Sequence, residues 1–207
     1  MKLILLGAPG SGKGTQAKKL SKHFGLVHIS TGDIIRENIK NRTKIGIEAE
    51  KLINDGNLVP DDVVIEMVAN YLKQDHVRNN FVLDGFPRTV KQAEALDNIS
   101  EIDKVILIDT DLDETTRRIL NRKTCPKCGK SYSNLEFCPN CNIKLERRDD
   151  DNEQTIKNRF KVYINETLPV VEYYKKNHLL NTVNGNNSIE QVFGEINNIL
   201  NEGSYDL

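Results

Sequence analysis

The chain of 207 residues has no tryptophan, few methionines and a formal net charge of only −1. A charge so close to zero gives no global attraction to nucleic acid or to acidic membranes, so any anion site must be local. The apolar run near the start, residues 3–6, is too short for a signal peptide or a membrane span. We therefore expect a cytosolic protein whose partners include neither nucleic acid nor a membrane.

Cysteine is absent from most of the chain, because all four cysteines lie between positions 125 and 141. They form two Cys-x-x-Cys pairs, Cys125 with Cys128 and Cys138 with Cys141. Each tight turn directs two thiolates at one point, so the two pairs predict a closed, structural Zn²⁺ site. Such clustering argues against a secreted disulfide framework. A thioredoxin-like redox pair is the alternative, but two copies at zinc-ribbon spacing argue against it.

Short apolar runs alternate with longer segments of helical periodicity, which is typical of an α/β fold with a parallel sheet. The predicted strands are residues 2–6, 26–29, 81–84, 104–109 and 179–183. The predicted helices cover residues 12–24 and 188–200, and two more begin near Pro60 and near Asp151. Asp151 and Gln154 have capping-box spacing, and Pro169 is expected to kink or split the helix that follows.

Two stretches interrupt this alternation and are interpreted as insertions on the core. Residues 30–59 contain two short helical patterns, and residues 121–151 contain the cysteines but little periodicity. The predicted core domain then consists of residues 1–29, 60–120 and 152–207. An insertion shorter than about 40 residues rarely folds without a metal or a disulfide, so zinc would supply the missing stability of the second one.

The segment GAPGSGKGT, residues 7–15, follows the first predicted strand and opens a helix. Glycines let backbone N–H groups cradle phosphate oxygens, the helix N-terminus adds positive charge, and Lys13 supplies a mobile cation. An incidental glycine-rich turn would not explain why the segment has this glycine spacing and also lies between a predicted strand and a predicted helix.

Gly14, followed by Thr15, stands where most such loops have a hydroxyl for Mg²⁺. We therefore expect Mg²⁺ to be held mostly by phosphates and water. This departure, and the absence of guanine motifs, argue against a switch GTPase.

Residues 7–16 (GAPGSGKGTQ) resemble the signature loop of nucleoside monophosphate kinases. Three further motifs follow in the order and spacing of the adenylate kinase family: STGD at 30–33 with Arg36, DGFPRT at 84–89 with Gln92, and RDDD at 148–151 with Arg159. The cysteine stretch is similar to the zinc-containing lid of the bacterial-type long form. The resemblance implies a P-loop NTPase-type core with an NMP-binding insertion (30–59) and a zinc lid (121–151). It also implies a monomer that reversibly transfers a phosphoryl group from ATP to AMP, giving ADP, with Mg²⁺.

The resemblance also assigns roles to individual residues. The implied ATP-binding residues are Gly10, Ser11, Gly12, Lys13, Gly14, Thr15, Arg118, Arg122, Ser131, Tyr132 and Asn187. The implied AMP-binding residues are Thr31, Arg36, Asn57, Leu58, Val59, Gly85, Phe86, Pro87, Arg88, Gln92, Arg148 and Arg159. The implied catalytic residues are Lys13, Arg88, Arg122, Arg148 and Arg159, and Asp84 would orient the waters of Mg²⁺.

Converging arginines suit this chemistry, because phosphoryl transfer needs in-line positioning and cations around a spreading negative charge. Taken singly, each arginine could be a solvated surface residue, Gln92 a surface glutamine, and Thr31 a helix N-cap. Asp84 and Asp109 both end predicted strands. Without the resemblance, the sequence therefore leaves two candidates for the carboxylate that would orient the waters of Mg²⁺. The family usually has Gly-Arg-Arg before the lid, whereas Asn121-Arg122-Lys123 stands here, and Lys123 cannot copy a bidentate contact.

Two other functions fit parts of the sequence. A related kinase acting on UMP or CMP would share most of these motifs. A zinc-ribbon nucleic-acid-binding module would explain the mildly basic cysteine insertion, although only Tyr132 and Phe137 are available there to stack on bases. The four histidines show no metal-binding spacing and are interpreted as structural.

Overall fold

A computed structural model describes residues 1–201 of the chain. Five parallel strands form one sheet in the order β2-β3-β1-β4-β7, and β5 and β6 form a separate antiparallel hairpin. The strands are β1 (Lys2–Leu6), β2 (Val27–Ser30), β3 (Phe81–Asp84), β4 (Lys104–Asp109), β5 (Arg122–Thr124), β6 (Ser131–Ser133) and β7 (Leu180–Asn184). The five predicted core strands are confirmed, with β2 and β7 displaced by one residue.

Helices flank the sheet, and two of them form the predicted insertion at residues 30–59. The helices are α1 (Lys13–Phe24), α2 (Thr31–Lys40), α3 (Lys44–Asn54), α4 (Asp61–Leu72), α5 (Val90–Asp97), α6 (Leu112–Leu120), α7 (Glu153–Val162), α8 (Leu168–Lys176) and α9 (Ile189–Asn201). A π-helical turn, Tyr163–Thr167, joins α7 to α8. The predicted split is thus confirmed: Pro169 has no N–H to donate back into the preceding turn, so regular α-helical bonding stops there.

One predicted helix cap is wrong, and one alternative cap is excluded. Asn152, and not Asp151, caps α7, because its side chain accepts a hydrogen bond from the Thr155 N–H at 2.9 Å. Ser30 caps α2 by accepting from the Asp33 N–H at 3.3 Å, which excludes the N-cap alternative for Thr31. Asp151 is instead buried in an ion pair, a role that its local spacing does not reveal.

The sheet is buried on both faces, as its continuous apolar strands require. Successive residues of a strand point to opposite faces, so the strands divide their side chains between two cores. Helices α4, α5 and α8 cover one face, and α1 and α9 cover the other. The first core includes Ile4, Leu6, Phe81, Leu83, Val105, Val68, Leu96 and Tyr174. The second includes Leu3, Leu5, Val82, Ile106, Ile108, Leu20 and Ile196.

All five strands of the sheet end at the same edge, because they are parallel. Register places Leu5 of β1 beside Asp84 of β3, and Ser30 of β2 beside Asp84 on the other side. The segments that follow β2, β3 and β1 therefore emerge side by side, and those that follow β4 and β7 continue the same edge. In open α/β sheets this carboxyl edge is where ligands bind.

Helices α2 and α3 of the insertion pack closely at Gly46. A Cβ built at Gly46 would lie 2.1 Å from the Asn38 carbonyl oxygen, a backbone atom that cannot rotate away. We expect Gly46→Ala to lower the free energy of unfolding by about 1–3 kcal/mol through overpacking. Chemical denaturation measures this change.

Gly194, in the middle of α9, provides the matched control, because a Cβ there meets nothing within 4 Å. Gly194→Ala should stabilise the protein by roughly 0.5–1 kcal/mol, since alanine costs less backbone entropy in a helix. Equal effects of the two substitutions would contradict the packing described for Gly46.

Candidate active site

A cavity of about 940 Å³ opens at the carboxyl edge of the sheet, between the core, the 30–59 insertion and the cysteine segment. Every residue predicted to bind ATP or AMP lines it except Phe86. The Phe86 ring is fully buried in the core, so its side chain is placed to support the wall of the cavity and not to touch a ligand. Asp84 lines the cavity, and Asp109 does not.

The phosphate loop connects β1 to α1 at the base of this cavity. Gly7, Gly10 and Gly12 all have positive φ, at 148°, 85° and 100°. A Cβ at Gly10 would also lie 2.6 Å from the Thr115 carbonyl oxygen of α6. The loop therefore needs glycine both for its backbone conformation and for its close approach to a neighbouring helix. Its backbone N–H groups, with those of the α1 N-terminus, provide the donors of an anion site.

The Lys13 side chain bends back over this loop. Its ammonium donates to the Gly7 and Ala8 carbonyl oxygens, at 2.8 Å and 2.9 Å. Burial lowers the pKa of Lys13 to about 8; the charge of Asp84 opposes this shift, and Arg88 and Arg122 add to it. Because burial and the neighbouring arginines disfavour the charged ammonium, an anionic ligand bound beside it would stabilise the charge.

Asp84 faces Lys13 from the end of β3. Burial works against its ionisation, but the nearby His28 side chain and the charge of Lys13 hold the pKa of Asp84 below its ordinary value. The His28 Nε2 atom lies 3.6 Å from Asp84 Oδ2. Asp84 is therefore a carboxylate at this site, as orientation of Mg²⁺ waters would require. Sequence reasoning missed the contribution of His28, which it classed with the structural histidines.

The pKa of Lys13 predicts a pH dependence of nucleotide binding. Phosphate groups favour the charged lysine, so binding must be accompanied by proton uptake once the free site loses its proton above about pH 8. We expect the affinity for ATP to fall as pH rises from 8 to 9.5, by up to about tenfold per pH unit.

Calorimetric titration in two buffers of different ionisation enthalpy measures this proton uptake directly. Adenosine serves as the control, because without phosphates its affinity should not follow the protonation state of Lys13. An ATP affinity that stays constant between pH 7 and 9.5 would contradict the prediction.

Five arginines from five different segments point into the same cavity. They are Arg36 on α2, Arg88 after β3, Arg122 on β5, Arg148 before α7 and Arg159 on α7. Burial, followed by repulsion from the other arginines, lowers the pKa of Arg148 to about 10 and that of Arg159 to about 9. Guanidinium groups stay protonated, so these shifts indicate concentrated positive charge that favours an anion.

Three carboxylates hold four of these arginines, all except Arg88, in place. Asp33 accepts from Arg36 at 2.5 Å and lies 4.0 Å from Arg148. Asp151 pairs with Arg122 at 2.5 Å and with Arg159 at 3.4 Å, and Asp150 also pairs with Arg159. Asp150 and Asp151 are buried. Sequence reasoning included these aspartates in its motifs without assigning them this role. Asp33 and Arg36 are three residues apart on α2, but the partners of Asp150 and Asp151 lie in other elements.

On the acceptor side of the cavity, where the resemblance places AMP, the polar side chains of Gln92 and Thr31 already form hydrogen bonds with other protein groups. Gln92 is only 2% exposed; its Oε1 accepts from the Arg88 N–H at 2.7 Å, and its Nε2 donates to Asp61 at 2.7 Å. The Thr31 hydroxyl donates to the Gly85 carbonyl at 2.7 Å. Gln92 is therefore a buried residue that fixes the DGFPRT segment, which excludes the surface-glutamine alternative.

The donor side is built from α6, the α9 N-terminal loop and the hairpin. Arg118 donates to Glu114 at 2.7 Å and lies close enough to the Ser11 carbonyl, 3.5 Å, to flank the phosphate loop. Asn187 donates to Glu195 at 2.8 Å. Ser131 and Tyr132 of β6 line the same region.

The four cysteines fit a zinc ion. Their sulfurs all lie within 4.8 Å of one another, and those of Cys128 and Cys138 are 3.7 Å apart. A tetrahedron with Zn–S distances of about 2.3 Å has sulfurs about 3.8 Å apart. Although burial opposes ionisation, the backbone N–H groups of Asn140 and Cys141 help to hold the pKa of Cys138 below its ordinary value. All four positions would be protein ligands, so the site is structural and not catalytic.

Within residues 1–201, the structure contains no helix with the length and hydrophobicity needed to span a bilayer.

Comparisons with known proteins agree with this geometry. The adenylate kinase family model matches residues 5–179. An adenylate kinase of Clostridium botulinum (strain Hall) is 47% identical over 213 positions, covering 97% of this chain and 98% of the relative. Adenylate kinases of Clostridium perfringens (strain SM101) and Clostridium kluyveri are 45% and 47% identical, covering 97% and 93% of this chain and 98% and 94% of those relatives. The chain therefore belongs to the adenylate kinase family, whose members are phosphotransferase enzymes.

Proposed function

We propose that this protein transfers the terminal phosphoryl group of ATP reversibly to AMP, giving two molecules of ADP. The observation that carries the proposal is the convergence of five arginines from separate segments on one cavity beside the phosphate loop. A site that binds two phosphate chains end to end needs this density of cations, whereas a zinc-ribbon nucleic-acid-binding module would not.

The residues have different roles according to their position in the cavity. The phosphate loop and Lys13 would hold the β- and γ-phosphates of ATP, and Arg36 and Arg88 the phosphate of AMP. Arg122, Arg148 and Arg159 would surround the group in transfer and stabilise the negative charge that develops there. The transfer is direct, because these cations need only align the two phosphates in line and no nucleophilic side chain is required.

Asp84 and the four cysteines are assigned to the two metals. Mg²⁺ enters with ATP and neutralises charge on the β- and γ-phosphates; Asp84, ionised at the end of β3, would orient its water ligands. Cys125, Cys128, Cys138 and Cys141 would hold one Zn²⁺ that keeps residues 121–151 folded.

We also propose that residues 30–59 and 121–151 close over the substrates as mobile units on the core. In the structure the lid touches the core, because Lys18 of α1 donates to the Gly129 carbonyl at 3.1 Å. Closure would exclude the water that would otherwise hydrolyse ATP. A linked bisubstrate analogue should shorten the distance between labels at Asn54 and Asn142; an unchanged distance would contradict closure. The chain would act as a monomer, as the family resemblance implies, and light scattering should give about 23.5 kDa.

One assay tests the function. AMP, GMP, UMP and CMP are compared as phosphoryl acceptors with MgATP as the donor. We expect AMP to give the highest kcat/KM by a wide margin. Preference for UMP or CMP would assign the protein to a related kinase, and a lack of transfer to all four acceptors would contradict the proposal.

A further inference from the structure

The loop between α3 and α4 forms one wall of the acceptor half of the cavity. Gly56, Asn57, Leu58 and Val59 all line it. This wall has no regular secondary structure of its own, since α3 ends at Asn54 and α4 begins at Asp61. Backbone hydrogen bonds to α3 fix its first turn, so any further restraint on the loop must come from other elements.

Two side chains of α7 hold this loop from behind. The Asn158 Nδ2 atom donates to the Asp55 carbonyl at 2.7 Å and to Asn57 Oδ1 at 2.9 Å. The Thr155 hydroxyl donates to the Asn54 carbonyl at 2.9 Å. Thr155 and Asn158 are three residues apart, so they lie on the same face of α7. One amide group thus bonds both a backbone carbonyl and a side chain of the wall.

The contact between the loop and α7 leaves no free space. Gly56 has a φ of +78°, and a Cβ there would lie 2.9 Å from the Thr155 carbonyl oxygen and 3.1 Å from Arg159 Cγ. The loop backbone therefore rests directly on the helix. A shift of the loop would change its distance from Arg159, the residue that follows Asn158.

We propose that Asn158 is a positioning residue for the acceptor nucleotide. Its amide fixes the loop that would contact the acceptor base at a set distance from Arg159, which would contact the phosphate. A nucleoside monophosphate spans this distance, so its affinity depends on the fit. The donor side is built from other elements, namely α6, the loop before α9 and the hairpin, so ATP binding should not depend on Asn158. The inference rests on the proposed function, since it names a determinant of the same acceptor site.

Steady-state kinetics with both substrates varied tests this role in Asn158→Ala. Two neutral hydrogen bonds contribute about 0.5–1.5 kcal/mol each, so we expect the KM for AMP to rise by about 5–140-fold. The KM for ATP should stay within twofold of that of the wild type. Asn158→Asp should raise the KM for AMP further, because a carboxylate cannot donate to the Asp55 carbonyl and repels it. Gln154→Ala is the matched control: it removes an exposed amide from the same helix and should change neither constant.

Hydrogen exchange gives a readout that does not depend on catalysis. The Gly56 and Asn57 N–H groups donate to the Ile53 and Leu52 carbonyls at 3.0 Å and 2.8 Å, so their exchange reports on the loop. Exchange there should quicken in Asn158→Ala and not in Gln154→Ala. An unchanged KM for AMP, or an equal rise in both KM values, would overturn the inference. If the wild type did not phosphorylate AMP, the proposed function would fail, and the exchange data would still decide whether Asn158 positions the loop.

Discussion

Replacing Lys13 with methionine is expected to lower kcat by at least about 10²–10³-fold, the loss found when one positioned donor is removed from an active site. Methionine keeps an unbranched side chain, shorter by one heavy atom, and removes its charge. The ammonium is buried over the phosphate loop, where a cation interacts strongly with phosphate oxygens. Steady-state kinetics with MgATP and AMP measures the loss.

The same substitution should leave the fold almost unchanged. Burial lowers the pKa of Lys13, which means that the folded protein without nucleotide holds this charge at a cost. Removing the charge relieves that cost, and thermal unfolding without nucleotide should therefore occur within a few degrees of the wild-type value. Lys22→Met, on the exposed face of the same helix, is the control and should keep full activity. Near-normal turnover of Lys13→Met would rule out the role assigned to this lysine.

Cys138→Ser is expected to abolish zinc binding and to lower kcat/KM by roughly 10²-fold, because the lid positions several cationic donors. The thiol is 1% exposed and packs with Cys125 and Leu145 in a core of its own, which is too small to hold the lid together without a metal. Loss of zinc should loosen the β5–β6 hairpin, and with it Arg122 of β5. Lys127→Ala, at an exposed position between the first two ligands, is the control.

Metal analysis and calorimetry measure these effects together. The wild type should contain about one zinc per chain. The variant should lose an early, lid-associated part of its unfolding transition while the main transition stays, because the two large cores of the sheet do not include the lid. Zinc-replete protein that contains no zinc and has four freely reactive thiols would contradict this assignment.

The strands and the phosphate loop could be predicted from the sequence because their signals are local. A run such as residues 3–6 is apolar on both faces, and the glycines that follow it require a particular turn conformation. Pro169 likewise predicts an interruption by its chemistry alone. The type of interruption, a π-helical turn, depends on how α7 and α8 pack and is not encoded in the spacing.

The internal bonding of the site could not be predicted, because it joins residues that lie far apart. Arg122 and Asp151 are 29 positions apart, and Gln92 and Asp61 are 31 apart. Family resemblance indicated which side chains line the cavity. It did not indicate that the Gln92 amide already has protein partners, or that Asn152 caps α7 so that Asp151 is free to pair with arginine.

The aspartates among the arginines mean that this cavity contains its own counterions. Arg36, Arg122 and Arg159 are each neutralised in the structure by Asp33, Asp151 or Asp150. A nucleotide entering the site would therefore exchange partners with fixed carboxylates more than it would release loosely held ions to the solvent. Affinity for ATP should consequently depend less steeply on salt concentration than it would for a bare cationic surface. The carboxylates displaced from one arginine remain within reach of another, so the cavity would redistribute charge during each turnover without exchanging ions with the solvent.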